Sequence, residues 1–199
     1  MVRILFLVFI QLLSCSGNTA EKDTSAKDYS DKHTEALTFC KQKKYCEDYY
    51  FLIDLSVHSG KDRFYVYDFR QRKIVDKNLV THGSCDAFQD NDTKYEKVKF
   101  SNLDKSHCSS SGKYKVGKRD YSSWGIKVKY WLEGLDETNS NAQHRVVVLH
   151  SWNAVADKEI FPRYSPLSWG CPAVSDNFMQ TLDAKLQATE KPVLLWIVD

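Results

Sequence analysis

Neither sign of charge dominates this 199-residue sequence. Its 28 Lys and Arg stand against 26 Asp and Glu, for a net charge of +2. That balance gives no case for a nucleic-acid partner. No apolar run approaches the roughly 20 residues needed to span a bilayer. The short paired spacings of a zinc site, Cys-x-x-Cys or His-x-x-x-His, are missing, so no metal is expected. No internal repeat and no second domain boundary interrupt the chain. What it does contain is aromatic: 11 Tyr, 10 Phe and 5 Trp. The length suffices for one domain with a proper core.

The first residues, Met1-Val2-Arg3, lead into a short apolar run over 4–10. A basic start, a short apolar region and small residues before a cut describe a secretory signal. The ending Leu12-Leu13-Ser14-Cys15 resembles a bacterial lipoprotein signal. That resemblance implies a signal peptide over 1–14 and a lipidated Cys15. It also implies an exported bacterial lipoprotein, periplasm-facing or on the outer membrane. Residues 16–32 are rich in Ser, Thr, Asp, Lys and Glu. Such a composition builds no core, so 15–32 reads as lipidated cysteine and flexible tether. The domain proper is expected over 33–199.

Within it, 32–47 has a helical stripe of Ala36, Leu37, Phe39 and Cys40. Residues 49–57 and 63–69 read as strands around a turn at 58–62, a hairpin. Further strands are expected over 74–81, 114–117 and 125–132. The last of these alternates apolar and basic residues, one face buried and one solvated. Ser175-Asp176-Asn177 opens a helix whose Phe178, Met179, Leu182 and Leu186 share one face. Residues 193–198 form a buried strand. The sum is a mainly β domain with a few helices.

The stretch 150–171 carries the chemistry. The run Val146-Val147-Val148-Leu149 reads as a buried strand that delivers His150 at its end. Cys171 follows Gly170 and precedes Pro172, so it sits on a turn. A histidine and a turn cysteine are the parts of a thiol nucleophile and its base. Gly170 allows close backbone approach. The amides of Trp169, Gly170 and Cys171 are candidate oxyanion donors. The carbonyl of Ser151 is a candidate to orient the imidazole.

Six cysteines in an exported chain invite pairing. With Cys15 lipidated, five remain, and Cys171 is the one chosen as free. The other four permit three pairings. Cys85 with Cys108 flanks one polar excursion. Cys40 and Cys46 can pair only if the helix ends between them, because about 9 Å of helical rise otherwise separates them.

His150-Ser151-Trp152 followed by Ser168-Trp169-Gly170-Cys171-Pro172-Ala173 resembles the signature of the L,D-transpeptidase (YkuD-like) family. The blocks at 79–83, 100–102, 109–114 and 141–145 also resemble its murein L,D-transpeptidase branch, and the likeness spans about 49–199. The resemblance implies an L,D-transpeptidase-like β-sandwich catalytic domain acting on peptidoglycan stem peptides. It makes Cys171 the nucleophile, His150 the base and Ser151 its orienter, with Ser168 and Gly170 shaping the turn. A thioester forms, D-alanine leaves, and an amine acceptor takes the acyl group. The readings that share these residues are an L,D-carboxypeptidase, another exported cysteine peptidase or amidase, and a non-catalytic wall-binding lipoprotein. No cofactor is implied, and a monomer is expected. The chain departs from the pattern at Trp169, where the family has His, and at Ala173, where it has Arg. Arg163 and Arg145 are the candidates to replace that arginine. His82, His107, Asn102, Trp152 and Trp169 are candidates to line the substrate cleft.

Overall fold

The computed structural model describes residues 27–86 and 93–199. The expected signal peptide, Cys15 and most of the expected tether lie outside them. Among the described residues, eight strands run β1 (Tyr49–Asp54), β2 (Phe64–Asp68), β3 (Lys73–Asn78), β4 (Gly112–Tyr121), β5 (Val128–Gly134), β6 (Val148–Ser151), β7 (Ala173–Val174) and β8 (Val193–Val198). Helix α1 spans Ser30–Lys43 and helix α2 spans Asp176–Gln187. The strands join in one sheet ordered β3-β2-β1-β8-β4-β5-β6-β7, curled into a near-barrel. The mainly β domain with a few helices is therefore what the chain forms.

β8 makes that sheet continuous. It pairs parallel to β1 and antiparallel to β4. Its six residues are almost wholly apolar, as a strand covered on both faces requires. Alternate side chains go to opposite sides. Leu195 and Ile197 join Phe51, Ile53, Leu149 and the α2 residues Phe178, Met179 and Leu182 in the larger core. Leu194 and Trp196 face the other way, with Tyr50, Leu52 and the α1 residues Ala36 and Cys40.

Local signals place several elements as the sequence suggests. β1 and β2 form the antiparallel hairpin. Ser175 caps α2, accepting the Phe178 amide at 3.3 Å. Cys85 and Cys108 are bridged, while Cys40, Cys46 and Cys171 are free thiols. Helix α1 does end between Cys40 and Cys46, at a left-handed Lys44. The two thiols nonetheless go to different cores.

Three expectations need correction. Tyr29 is buried and its hydroxyl donates to Asp54 at 2.7 Å, so the ordered domain starts before residue 33. β5 starts at Val128, because 122–127 is a turn with Gly125 at φ +50°. β6 starts at Val148, because Val146 has φ +57° and is half exposed.

Candidate active site

β6 and β7 lie side by side at one end of the sheet, paired parallel with His150 opposite Ala173. This register fixes the two candidate reactive groups. His150 is the third of four residues in β6, inside the strand and not past its end. Cys171 stands on the turn that leads into β7. Both line a groove of about 420 Å³, walled by Trp124, Trp152, Leu167, Ser168 and Trp169.

The imidazole has a defined orientation. Its Nδ1 lies 2.9 Å from the Ser151 carbonyl oxygen. A carbonyl only accepts, so Nδ1 carries the proton and Nε2 of the neutral ring is left basic. Ser151 is itself fully buried, and its Oγ accepts the Ile126 amide at 3.0 Å. Burial lowers the His150 pKa below 6.5, the Ser151 bond opposes this, and the nearby charge of Lys129 adds to it. The ring is therefore neutral at neutral pH.

The thiol is held just as closely. Cys171 Sγ accepts the Val148 amide at 3.5 Å and donates to the Val146 carbonyl at 3.6 Å. Burial pushes the thiol above its ordinary value of 9.0, and the Val148 bond and the charges of Arg145 and Lys129 pull the other way. At rest the thiol and the imidazole that line this groove are both neutral. They are not a preformed ion pair.

The turn before Cys171 is built for close approach. Gly170 has φ +102°, and a Cβ there would lie 2.5 Å from the Cys108 carbonyl oxygen. Ser168 anchors the turn. Its amide donates to His82 O at 2.9 Å, its carbonyl accepts the Ser84 amide at 2.9 Å, and its Oγ accepts the Gly170 amide at 3.2 Å. The Gly170 amide is thus already used, which removes it from the candidate oxyanion donors. After Cys171, Thr81 Oγ1 donates to the Cys171 carbonyl at 3.1 Å and accepts the Ala173 amide at 3.0 Å.

Of the candidate substrate residues, Trp152 lines the groove, and Trp169, 73% exposed, forms its outer wall. Trp169 stacks on His107, with ring centroids 4.8 Å apart, so His107 backs the rim. His82 does not reach the groove. It is buried, with Nδ1 accepting from Arg63 Nη2 at 2.9 Å and Nε2 donating to Lys94 O at 2.7 Å. Burial and the adjacent Arg63 charge hold it down at about 4. Asn102 is also spent on structure. It bonds Glu137 O, Ser140 Oγ and both amide groups of Asn141. Arg163 is exposed on a loop packed against Gly60 and is not part of the groove wall.

Sequence reasoning missed Trp124, Leu167 and Thr81. Only Thr81 had a signal, in the block that precedes His82. Among the described residues no cluster of His, Cys, Asp and Glu has the makings of a metal site.

The L,D-transpeptidase catalytic domain model, YkuD_2, matches residues 21–195. No curated protein matches the chain. Among solved structures, it is similar to a mutant of the helical cell shape determining protein Pgp2 from Campylobacter jejuni. That pair is 14% identical with a TM-score of 0.45, covering 83% of this chain and 53% of the other. It is also similar to Bd1075 from Bdellovibrio bacteriovorus, at 14% identity and TM-score 0.43 over 77% of this chain and 49% of that one. A third is an L,D-transpeptidase from Xylanimonas cellulosilytica, at 11% identity and TM-score 0.43 over 80% and 68%. The chain spans about half the length of the first two.

Proposed function

The chain belongs to the L,D-transpeptidase catalytic domain family, and we propose that it is a cysteine-dependent peptidoglycan L,D-transpeptidase with Cys171 as nucleophile and His150 as base. One observation carries this reading. The Nδ1 proton of His150 is committed to Ser151 O, which turns the basic Nε2 free for a groove that also holds the unbridged sulfur of Cys171.

The proposed reaction runs in two halves. Cys171 Sγ attacks the carbonyl carbon of the third stem residue while His150 Nε2 accepts the thiol proton. The peptide bond to D-alanine breaks, and its amine leaves with that proton. A thioester remains. An acceptor amine then attacks the thioester, His150 removes a proton from the amine, and the thiol is restored. The amides of Trp169 and Cys171 are the proposed oxyanion donors. Lipidation at Cys15 and a periplasm-facing site of action belong to the same proposal.

Mass spectrometry of the protein after incubation with a tetrapeptide stem tests it. An adduct of the tripeptide acyl group on Cys171, with D-alanine released, is the expected result. Cys171→Ala should fold and give no adduct. Adduct formation in Cys171→Ala, or none in the unaltered protein, would overturn the assignment.

A further inference from the structure

Arg145 lies just before β6 and beneath the turn that presents Cys171. Its Nη2 is 3.2 Å from the point where a Cβ on Gly170 would sit. The guanidinium is half buried and fixed by four bonds. Nη1 donates to Ser101 O at 2.9 Å and to Ser110 Oγ at 2.5 Å. Nη2 donates to Ser106 Oγ at 3.3 Å and to Cys108 O at 2.5 Å. All four Nη hydrogens are therefore committed, and only Nε–H is left.

Every one of those acceptors is neutral. Among the described residues no carboxylate forms an ion pair with Arg145. A half-buried cation without a counter-charge is costly, and its field is little screened. The anionic forms that would stabilise it belong to Tyr114, Cys171 and, more weakly, the exposed Asp104. Tyr114 is a buried phenol whose hydroxyl already donates to Ser110 O at 2.8 Å. Seen from the thiol, the charges that favour ionisation are Arg145 from below and Lys129 from β5, directly across from His150.

We propose that Arg145 is a positioning residue for Cys171, its fixed guanidinium stabilising the thiolate as the proton passes to His150. This rests on the reading of Cys171 as the nucleophile. It also replaces the expectation that Arg145 grips a substrate carboxylate, since its paired hydrogens are not available for a bidentate grip. The role is electrostatic and local. Lys at 145 keeps the charge but loses the four-bond fork, whereas Gln loses the charge.

The test is the rate of Cys171 alkylation by iodoacetamide across pH in the unaltered protein, Arg145→Lys and Arg145→Gln. Cys171→Ala supplies the background from Cys40 and Cys46. The expected result is a profile moved to higher pH in Arg145→Gln, with roughly tenfold slower alkylation at a fixed pH, and a profile in Arg145→Lys close to that of the unaltered protein. Profiles that coincide in all three, or that shift equally in both variants, would overturn the proposal and leave Cys171 a reactive nucleophile. If Arg145→Gln fails to fold by circular dichroism, Arg145→Met takes its place, with the same shifted profile expected and the same coincidence with the unaltered protein overturning the proposal. An unaltered protein that reacts no faster than Cys171→Ala would instead remove the nucleophile reading itself.

Discussion

Thr81 grips the strand entry after Cys171 with one hydroxyl, donating to the Cys171 carbonyl at 3.1 Å and accepting the Ala173 amide at 3.0 Å. The Thr81 amide adds a third bond, to Ala173 O at 2.9 Å. Replacing the hydroxyl by a methyl, Thr81→Val, keeps the shape and strands two buried backbone groups. We expect a loss of about 1–3 kcal/mol in stability. We also expect roughly tenfold or greater loss of D-alanine release, because the proposed nucleophile is no longer held in place. Thr81→Ser should retain both. Thermal unfolding and a stem-peptide assay on the two variants check this, and equal activity in Thr81→Val would refute it.

Gly170→Ala asks an L-residue to adopt φ +102° with its Cβ 2.5 Å from the Cys108 carbonyl. The backbone cannot give way without moving the disulfide-linked segment. The expected cost is about 1–3 kcal/mol, together with loss of acyl-enzyme. A melting curve and an intact-mass adduct assay measure the two effects. A variant as stable and active as its parent would show that the turn is looser than described.

The Cys85–Cys108 bridge closes a loop across 23 residues of sequence separation. Removing it in Cys85→Ser/Cys108→Ser should cost about 2–4 kcal/mol. Because Cys108 O also receives Arg145 and abuts Gly170, activity should fall along with the melting temperature. Reduction of the unaltered protein should reproduce both losses. An unchanged melting temperature after verified reduction would contradict this.

The pH dependence follows from the neutral pair. As the proposed base, His150 has to be unprotonated to take the thiol proton, and burial holds its pKa below 6.5. Activity therefore rises with pH through a limb that lies below 6.5 and is lost as the ring protonates. The Cys171 thiol is held above 9.0, so its alkylation without substrate should keep rising beyond that pH. An acid limb of kcat/KM at pH 7 or higher would contradict the assignment of His150 as a base working from the neutral form.

How much of this is legible in the sequence depends on how local each cause is. The β1–β2 hairpin, the Ser175 cap and the apolar run of β8 follow from patterns within a few residues of one another. That His150 and Cys171 come to one groove is legible too, because both lie in the one short stretch that resembles the family signature. The start of β6 is not legible. Val146 is as apolar as its neighbours, and nothing in that identity reveals a left-handed backbone. His82 has the look of a cleft residue, yet its fate is decided by Arg63, 19 residues earlier. Thr81, Arg145 and Trp124 reach the site only through long-range packing. Their roles depend on distances that no spacing along the chain encodes.

The position of β8 carries a kinetic consequence. Residues 193–198 are the farthest along the sequence of all the strands, yet they sit fourth from one edge of the sheet, between β1 and β4. Until they arrive, β1 and β4 are bare edges, each offering unsatisfied amides and carbonyls to any passing strand. Closing a parallel pair between β1 and β8 is also among the slower events in folding, since nearly the whole domain must be looped out first. A chain emerging N-terminus first therefore spends its synthesis as two unjoined half-sheets, and its need for protection against aggregation ends only when the β8 residues dock.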